Sequence, residues 1–285
     1  MRLVDSHGHL QADRFDDDLE AVLDAAREAG LERILVPGWN AWSSAAAVAL
    51  VERIPWLDAA VGVHPHDAGS VDDAGWDEIV RLATSPRVLA IGETGLDYDR
   101  VFSPILAQLA NLRRNLVLAV ETGKPAILHC RSRAGALDAQ DALVAELRAF
   151  GSDVPPVVIH SFSGPLDYAE EMLELGAVIS FSGLSFRNGE EATAEVARLV
   201  PADRLLVETD SPFLAPPGAP RSRNTPEWVR LTAAWVAGLR ADEAATFGDR
   251  LVATYDRVFR RPGRPDDGRP GADRPGPAPV RGDRG

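Results

Sequence analysis

Two histidines stand two residues apart in the stretch DSHGHL, His7 and His9. In extended backbone such residues face the same side, so the two imidazoles either share one ligand or simply hydrogen-bond at a strand end. The pair gains meaning from other polar residues in comparable places. Glu93 lies at the end of RVLAIGETG, His129 near the end of KPAILHC, His160 directly after PVVI, Asp210 at the end of DRLLVETD, and His64 near the end of LDAAVGVHP. Singly, each has an ordinary structural use: a hydrogen-bonded histidine, a glutamate at a helix N-terminus, an aspartate in a turn. Jointly, the imidazoles of His7, His9, His129 and His160 and the carboxylates of Glu93 and Asp210 are ligand types that suit Zn, Mn and similar divalent ions. They suffice for two ions with positions left open for water. A water between two such ions loses a proton near neutral pH and becomes a nucleophile. Glu93 is the natural bridge, and Asp210 can both ligate and accept that proton.

These residues meet only if the chain brings them together. Eight short apolar runs, RLVD, ERILVPG, LDAAVGVHP, RVLAIGETG, KPAILHC, PVVIHSF, GAVISFSG and DRLLVETD, alternate with longer segments at helical spacing, among them 16–29, 104–122, 135–150 and 166–175. Continuous apolar runs indicate strands covered on both faces, hence parallel strands with helical crossovers. Eight such units predict a (β/α)8 TIM-type barrel, whose strand C-termini all open onto one face; a doubly wound open sheet is the alternative. Residues 1–260 are expected to form this domain. Residues 261–285, RPGRPDDGRPGADRPGPAPVRGDRG, are nearly half Pro or Gly with no apolar cluster, and are expected to be a disordered tail.

The formal charge of the 285-residue chain is -13, which argues against a protein that grips duplex DNA by neutralising many phosphates. Any handling of nucleic acid must be local, through metal and a few arginines. No apolar run approaches the length of a membrane span, and no secretory leader is visible. The one cysteine, Cys130, allows no intrachain disulfide and fits a reducing compartment, so a cytoplasmic protein is expected. Alternation turns Cys130 away from the face of its neighbours His129 and Arg131, as a buried small apolar residue.

The ordered set DSHGHL, GVHPH, AIGETGLDYD, ILHCRSRAGALD, VIHSFSG, ISFSG, LLVETDSPFLAP and RSRNTPEWV resembles the TatD family of metal-dependent deoxyribonucleases, within the amidohydrolase superfamily. The resemblance implies a (β/α)8 barrel and a divalent-metal site on His7, His9, Glu93, His129, His160 and Asp210, with two ions per chain (Mg, Mn or Zn) expected. It also implies hydrolysis of phosphodiester bonds in DNA, often from the 3′ end, with DNA ends or short oligonucleotides as substrate. Some related barrels use a carbamylated lysine as the bridge; the one lysine here, Lys124, precedes the fifth run and belongs to the opposite face. Around the metals, His64 is expected either to contact a phosphate oxygen or to hydrogen-bond a ligand. Arg131, Arg221 and Arg223 are candidate phosphate partners, since guanidinium suits bidentate binding. Trp39, Tyr98 and Phe162 could stack on a base, with core or rim packing the competing use. The chain departs from the family at Thr254, about where an Asn is usual, and at Tyr98-Asp99, where an acid near the mouth would discourage long polyanions. Two alternatives remain: hydrolysis of a small amide, ester or lactone by the same metals, and a non-catalytic metal-binding scaffold.

Overall fold

The computed structural model describes residues 1–151 and 154–259; the expected tail, 261–285, lies outside the described residues. Eight strands form one parallel sheet in sequential order: β1 Leu3–Asp5, β2 Leu31–Pro37, β3 Leu57–Val61, β4 Val88–Asp97, β5 Ala126–Arg131, β6 Val157–Ile159, β7 Val178–Phe181 and β8 Leu205–Val207. Between and after them run α1 Leu19–Glu28, α2 Ala41–Arg53, α3 Asp73–Ala83, α4 Ile105–Thr122, α5 Asp138–Phe150, α6 Leu166–Glu174, α7 Thr193–Leu199, α8 Val229–Arg240 and α9 Ala244–Phe259. The alternation curls the sheet into a TIM-type barrel rather than an open doubly wound sheet. No helix among the described residues is long and apolar enough to cross a membrane.

The strands are buried because helices cover their outer faces while their inner side chains fill the barrel; Val36, Ala60, Ile91, Ile127 and Leu206 are inaccessible to solvent. Truncating Ile91, Ile127 or Leu206 to alanine would cost about 2–5 kcal/mol. Local chemistry sets the helix ends. Asn40 accepts from Ser43 N at 3.0 Å and the Ser43 hydroxyl accepts from Asn40 N at 3.0 Å, a reciprocal cap on α2. Gly123, at φ +62°, closes α4 in the left-handed conformation that glycine adopts without penalty.

The first and last strands meet through their extensions toward the C-terminal face. Ser6 N donates to Val207 O at 3.1 Å, Asp210 N to His7 O at 2.8 Å, and His9 N to Ser211 O at 2.7 Å. The buried Asp5 carboxylate adds a polar clasp, accepting from Thr209 N at 2.9 Å and from the Thr209 hydroxyl at 2.5 Å. The other end is plugged by α9, whose Tyr255 hydroxyl donates to Asp58 Oδ2 at 3.0 Å beside Arg33. Lys124 also sits at that end, donating to the carbonyls of Ala83 and Ser85, so it is far from the histidines.

Candidate metal centre

His7 and His9 lie just beyond β1, not within it, on a segment tied to the extension of β8 by the Gly8–Ser211 bridge. Glu93 does not end its strand as the sequence suggested. β4 runs on to Asp97, through Gly92 and Gly95 at φ +134° and +138°. A side chain at Gly95 would place its Cβ 1.9 Å from His129 O, so only glycine lets β4 lie against β5 at the level of the site. His129 comes from β5, His160 directly follows β6, and Asp210 lies beyond β8 at φ +54°, a conformation that short polar Asp tolerates better than most residues.

Four ligand-type atoms converge on one side. His7 Nε2 is 3.3 Å from His9 Nε2, 3.2 Å from Glu93 Oε2 and 3.8 Å from Asp210 Oδ1. His9 Nε2 is 3.6 Å from Glu93 Oε2 and 3.4 Å from Asp210 Oδ1. Ligands about 2.0–2.1 Å from a zinc ion at tetrahedral angles lie about 3.3–3.4 Å from one another, so this spacing fits a single divalent ion. The other oxygen, Glu93 Oε1, is 3.1 Å from His129 Nδ1 and 3.5 Å from His160 Nε2. Glu93 thus presents one oxygen to each group. His7, His160 and Asp210 also lie within ligand reach of one another, which makes the two groups one continuous cluster.

His7 Nδ1 is buried without a hydrogen-bond partner, but in His9, His129 and His160 the outer nitrogens decide which nitrogens offer lone pairs. His9 Nδ1 is 3.1 Å from Pro37 O, His129 Nε2 is 3.3 Å from Asp97 Oδ2, and His160 Nδ1 is 2.7 Å from Glu208 Oε1. Each outer nitrogen faces an acceptor and so carries hydrogen, which leaves the inner nitrogen of the neutral ring free to ligate, as is usual around metal-binding histidines. His64 is arranged the other way. Its Nδ1 accepts from His66 N at 3.0 Å, so in the neutral ring Nε2 carries the hydrogen, and that atom is 3.3 Å from Glu93 Oε1. Burial pushes the His64 pKa down to about 4 against the pull of Glu93, keeping the ring neutral. His64 therefore enters the cluster as a hydrogen-bond donor, although its position alone also places it within ligand reach of Glu93 and His129.

Two carboxylates that the sequence reading passed over hold this cluster in place. Glu208 is fully buried and accepts from Ser161 N at 2.6 Å and from the hydroxyls of Ser180 and Ser6 at 2.6 and 3.1 Å. Burial opposes its charge, but His160 and these donors outweigh it and draw its pKa down to about 2. Conversely, burial opposes the His160 cation, yet Glu208 and Glu93 raise its pKa to about 10. Asp97 is buried between His129 and His66, 2.8 Å from His66 Nε2, and accepts from Arg100 N at 2.7 Å. A signal was present for both: Glu208 stands two residues before Asp210, and Asp97 four after Glu93, in strands already marked as carrying ligands.

The expected phosphate partners are placed less simply. Arg131 is half exposed and pairs with Asp99 at 2.8 Å. Arg223 is held by Asp18 at 2.6 Å and lies 5.1 Å over the Phe15 ring, while Arg221 is exposed. Of the aromatic candidates, Phe162 and Tyr98 are buried, Phe162 against Tyr168; Trp39 remains near the mouth, with its ring 5.3 Å from that of His9. Cys130 is buried, as expected, and burial pushes its thiol up to about 12.

With this geometry, the relatives are informative. The family described as TatD related DNase matches residues 4–260. The chain belongs to the TatD family. It is 36% identical over 261 residues to the uncharacterized metal-dependent hydrolase YabD of Bacillus subtilis, covering 90% of this chain and 99% of YabD. It is 37% identical over 263 residues to the 3′-5′ ssDNA/RNA exonuclease TatD of Erwinia billingiae, covering 89% of this chain and 97% of that protein. The crystal structure of YjjV, a TatD homolog from Escherichia coli K12, superposes with a TM-score of 0.82 at 30% identity, covering 92% of this chain and 99% of YjjV. The TatD-family membership agrees with the barrel and with metal-dependent hydrolysis.

Proposed function

We propose that this TatD-family chain is a two-metal nuclease that removes nucleotides from the 3′ ends of single-stranded DNA. The observation that carries the proposal is Glu93, whose two oxygens face different imidazoles of one continuous cluster. His7, His9 and Asp210 with Glu93 Oε2 would hold one ion; His129 and His160 with Glu93 Oε1 would hold the other. When bound, divalent ions polarise a phosphoryl oxygen and acidify water. Asp210, at the edge of the first set, accepts the proton of the attacking water. Neutral His64 directs its Nε2 hydrogen toward the Glu93 oxygen and a phosphate oxygen placed beside it. Glu208 and Asp97 hold His160 and His129 in the orientation and tautomer that ligation requires. The net reaction inserts water across a phosphodiester, with the leaving 3′-oxygen gaining a proton. The nuclease names of the relatives support this substrate class.

The test is incubation of the purified protein with Mg²⁺ or Mn²⁺ and 5′-labelled single-stranded DNA, beside Asp210→Asn and with an RNA strand in parallel. Stepwise loss of 3′ nucleotides by the wild type, reduced by about 10²-fold or more in Asp210→Asn, is expected. Intact DNA with every divalent ion tried would refute a nuclease.

A further inference from the structure

We propose that Trp42 and Phe213 on one side of the metal centre, and Phe102 on the other, are stacking platforms for unpaired bases flanking the scissile phosphodiester. This rests on the nuclease reading above and adds how the strand is held. Among the described residues, these are the Phe and Trp side chains left largely open to solvent, at 65%, 53% and 65% exposure respectively. All three adjoin the site. Phe213 has its ring 6.2 Å from that of His9; Trp42 lies 6.3 Å from Trp39, which is itself 5.3 Å from His9. Phe102 has its ring 4.7 Å from that of His66, which Asp97 ties to His129. Exposed aromatic rings thus stand beside both halves of the cluster.

Charge supplies little alternative grip. The chain is strongly acidic, and of the candidate phosphate partners Arg131 is paired with Asp99 and Arg223 with Asp18, which leaves the exposed Arg221. Stacking on aromatic rings needs no net charge and accepts every base, since each has a π-face. Bases inside a duplex are already stacked and paired, so such platforms select unpaired ends. Trp42 stands in the first turn of α2, beside the reciprocal cap at Asn40, so its backbone is held firmly while its ring is free to meet a base.

The test compares kcat/KM for a single-stranded DNA tetramer and for the same tetramer with abasic tetrahydrofuran residues in its last two positions. The proteins are the wild type, Trp42→Ala, Phe213→Ala, Phe102→Ala and Trp42→Phe. The wild type is expected to prefer the base-bearing strand. Each Ala variant should lower that preference about tenfold, mainly through KM, and Trp42→Phe should keep most of it. An unchanged preference in all three Ala variants, with the wild type active, overturns the stacking platforms and leaves the nuclease standing. A metal-loaded wild type that cleaves neither strand overturns the nuclease reading and the platforms with it.

Discussion

At the residue scale, the cluster depends on carboxylates that touch its histidines rather than on the ligands alone. Glu208→Gln keeps the shape of the side chain but weakens its hold on His160. It should lower metal affinity or activity by about 10–100-fold, read by metal titration; unchanged affinity would remove Glu208 from this positioning role. The same pair sets proton traffic. In the metal-free protein burial opposes the His160 charge, but Glu208 and Glu93 raise its pKa to about 10, so it is protonated at neutral pH. A ligating imidazole must be neutral. Metal binding at pH 7.5 is therefore expected to release a proton, seen as a calorimetric enthalpy that varies with the ionisation enthalpy of the buffer; an enthalpy independent of buffer contradicts this. The proposed ligands were legible in the sequence because His and Glu are conspicuous at the ends of apolar runs. Glu208 and Asp97 carried only a positional signal, their nearness to Asp210 and Glu93, and it is burial against a histidine that distinguishes them from other acids. The pairing of Arg223 with Asp18 was equally hidden, since nothing in the local sequence joins residues 205 positions apart.

At the element scale, the seam between β1 and β8 aligns the two ends of the chain around the metal centre. Asp5 accepts hydrogen bonds from His7 N and from both donors of Thr209. Asp5→Ala would leave several buried donors unpaired, each costing about 1–3 kcal/mol. A fall in thermal stability together with weaker metal retention is expected, measured by calorimetry and metal analysis; a wild-type Tm with full metal content would contradict the clasp. All eight strands could be read from continuous apolar runs because helices cover their outer faces. The true end of β4 could not, because Gly92 and Gly95 read as punctuation while their positive φ carries the strand onward to Asp97. Likewise β1 is short, and His7 and His9 are set by the seam rather than by strand alternation.

At the scale of the whole molecule, an acidic protein that handles a polyanion should depend on few phosphate contacts. The slope of log kcat/KM against log salt is expected to be no steeper than about -2, as for fewer than about three neutralised phosphates on a single strand; a slope several times steeper would point to a basic track. We propose that residues 1–260 are the catalytic unit, since the family match ends at residue 260 and α9 packs against β1 and β8. A chain ending there should keep the kcat and Tm of the full protein, and a large loss of either would place residues 261–285 in the working molecule. The most direct measurement is titration of Mn²⁺ into metal-free protein, with bound ions and nuclease activity read on the same samples, for the wild type and Glu93→Ala. Two ions bound and activity completed with the second are expected for the wild type, with one ion or none and little activity for Glu93→Ala. Full activity with one ion, or two ions retained without the Glu93 carboxylate, would contradict a shared two-metal centre.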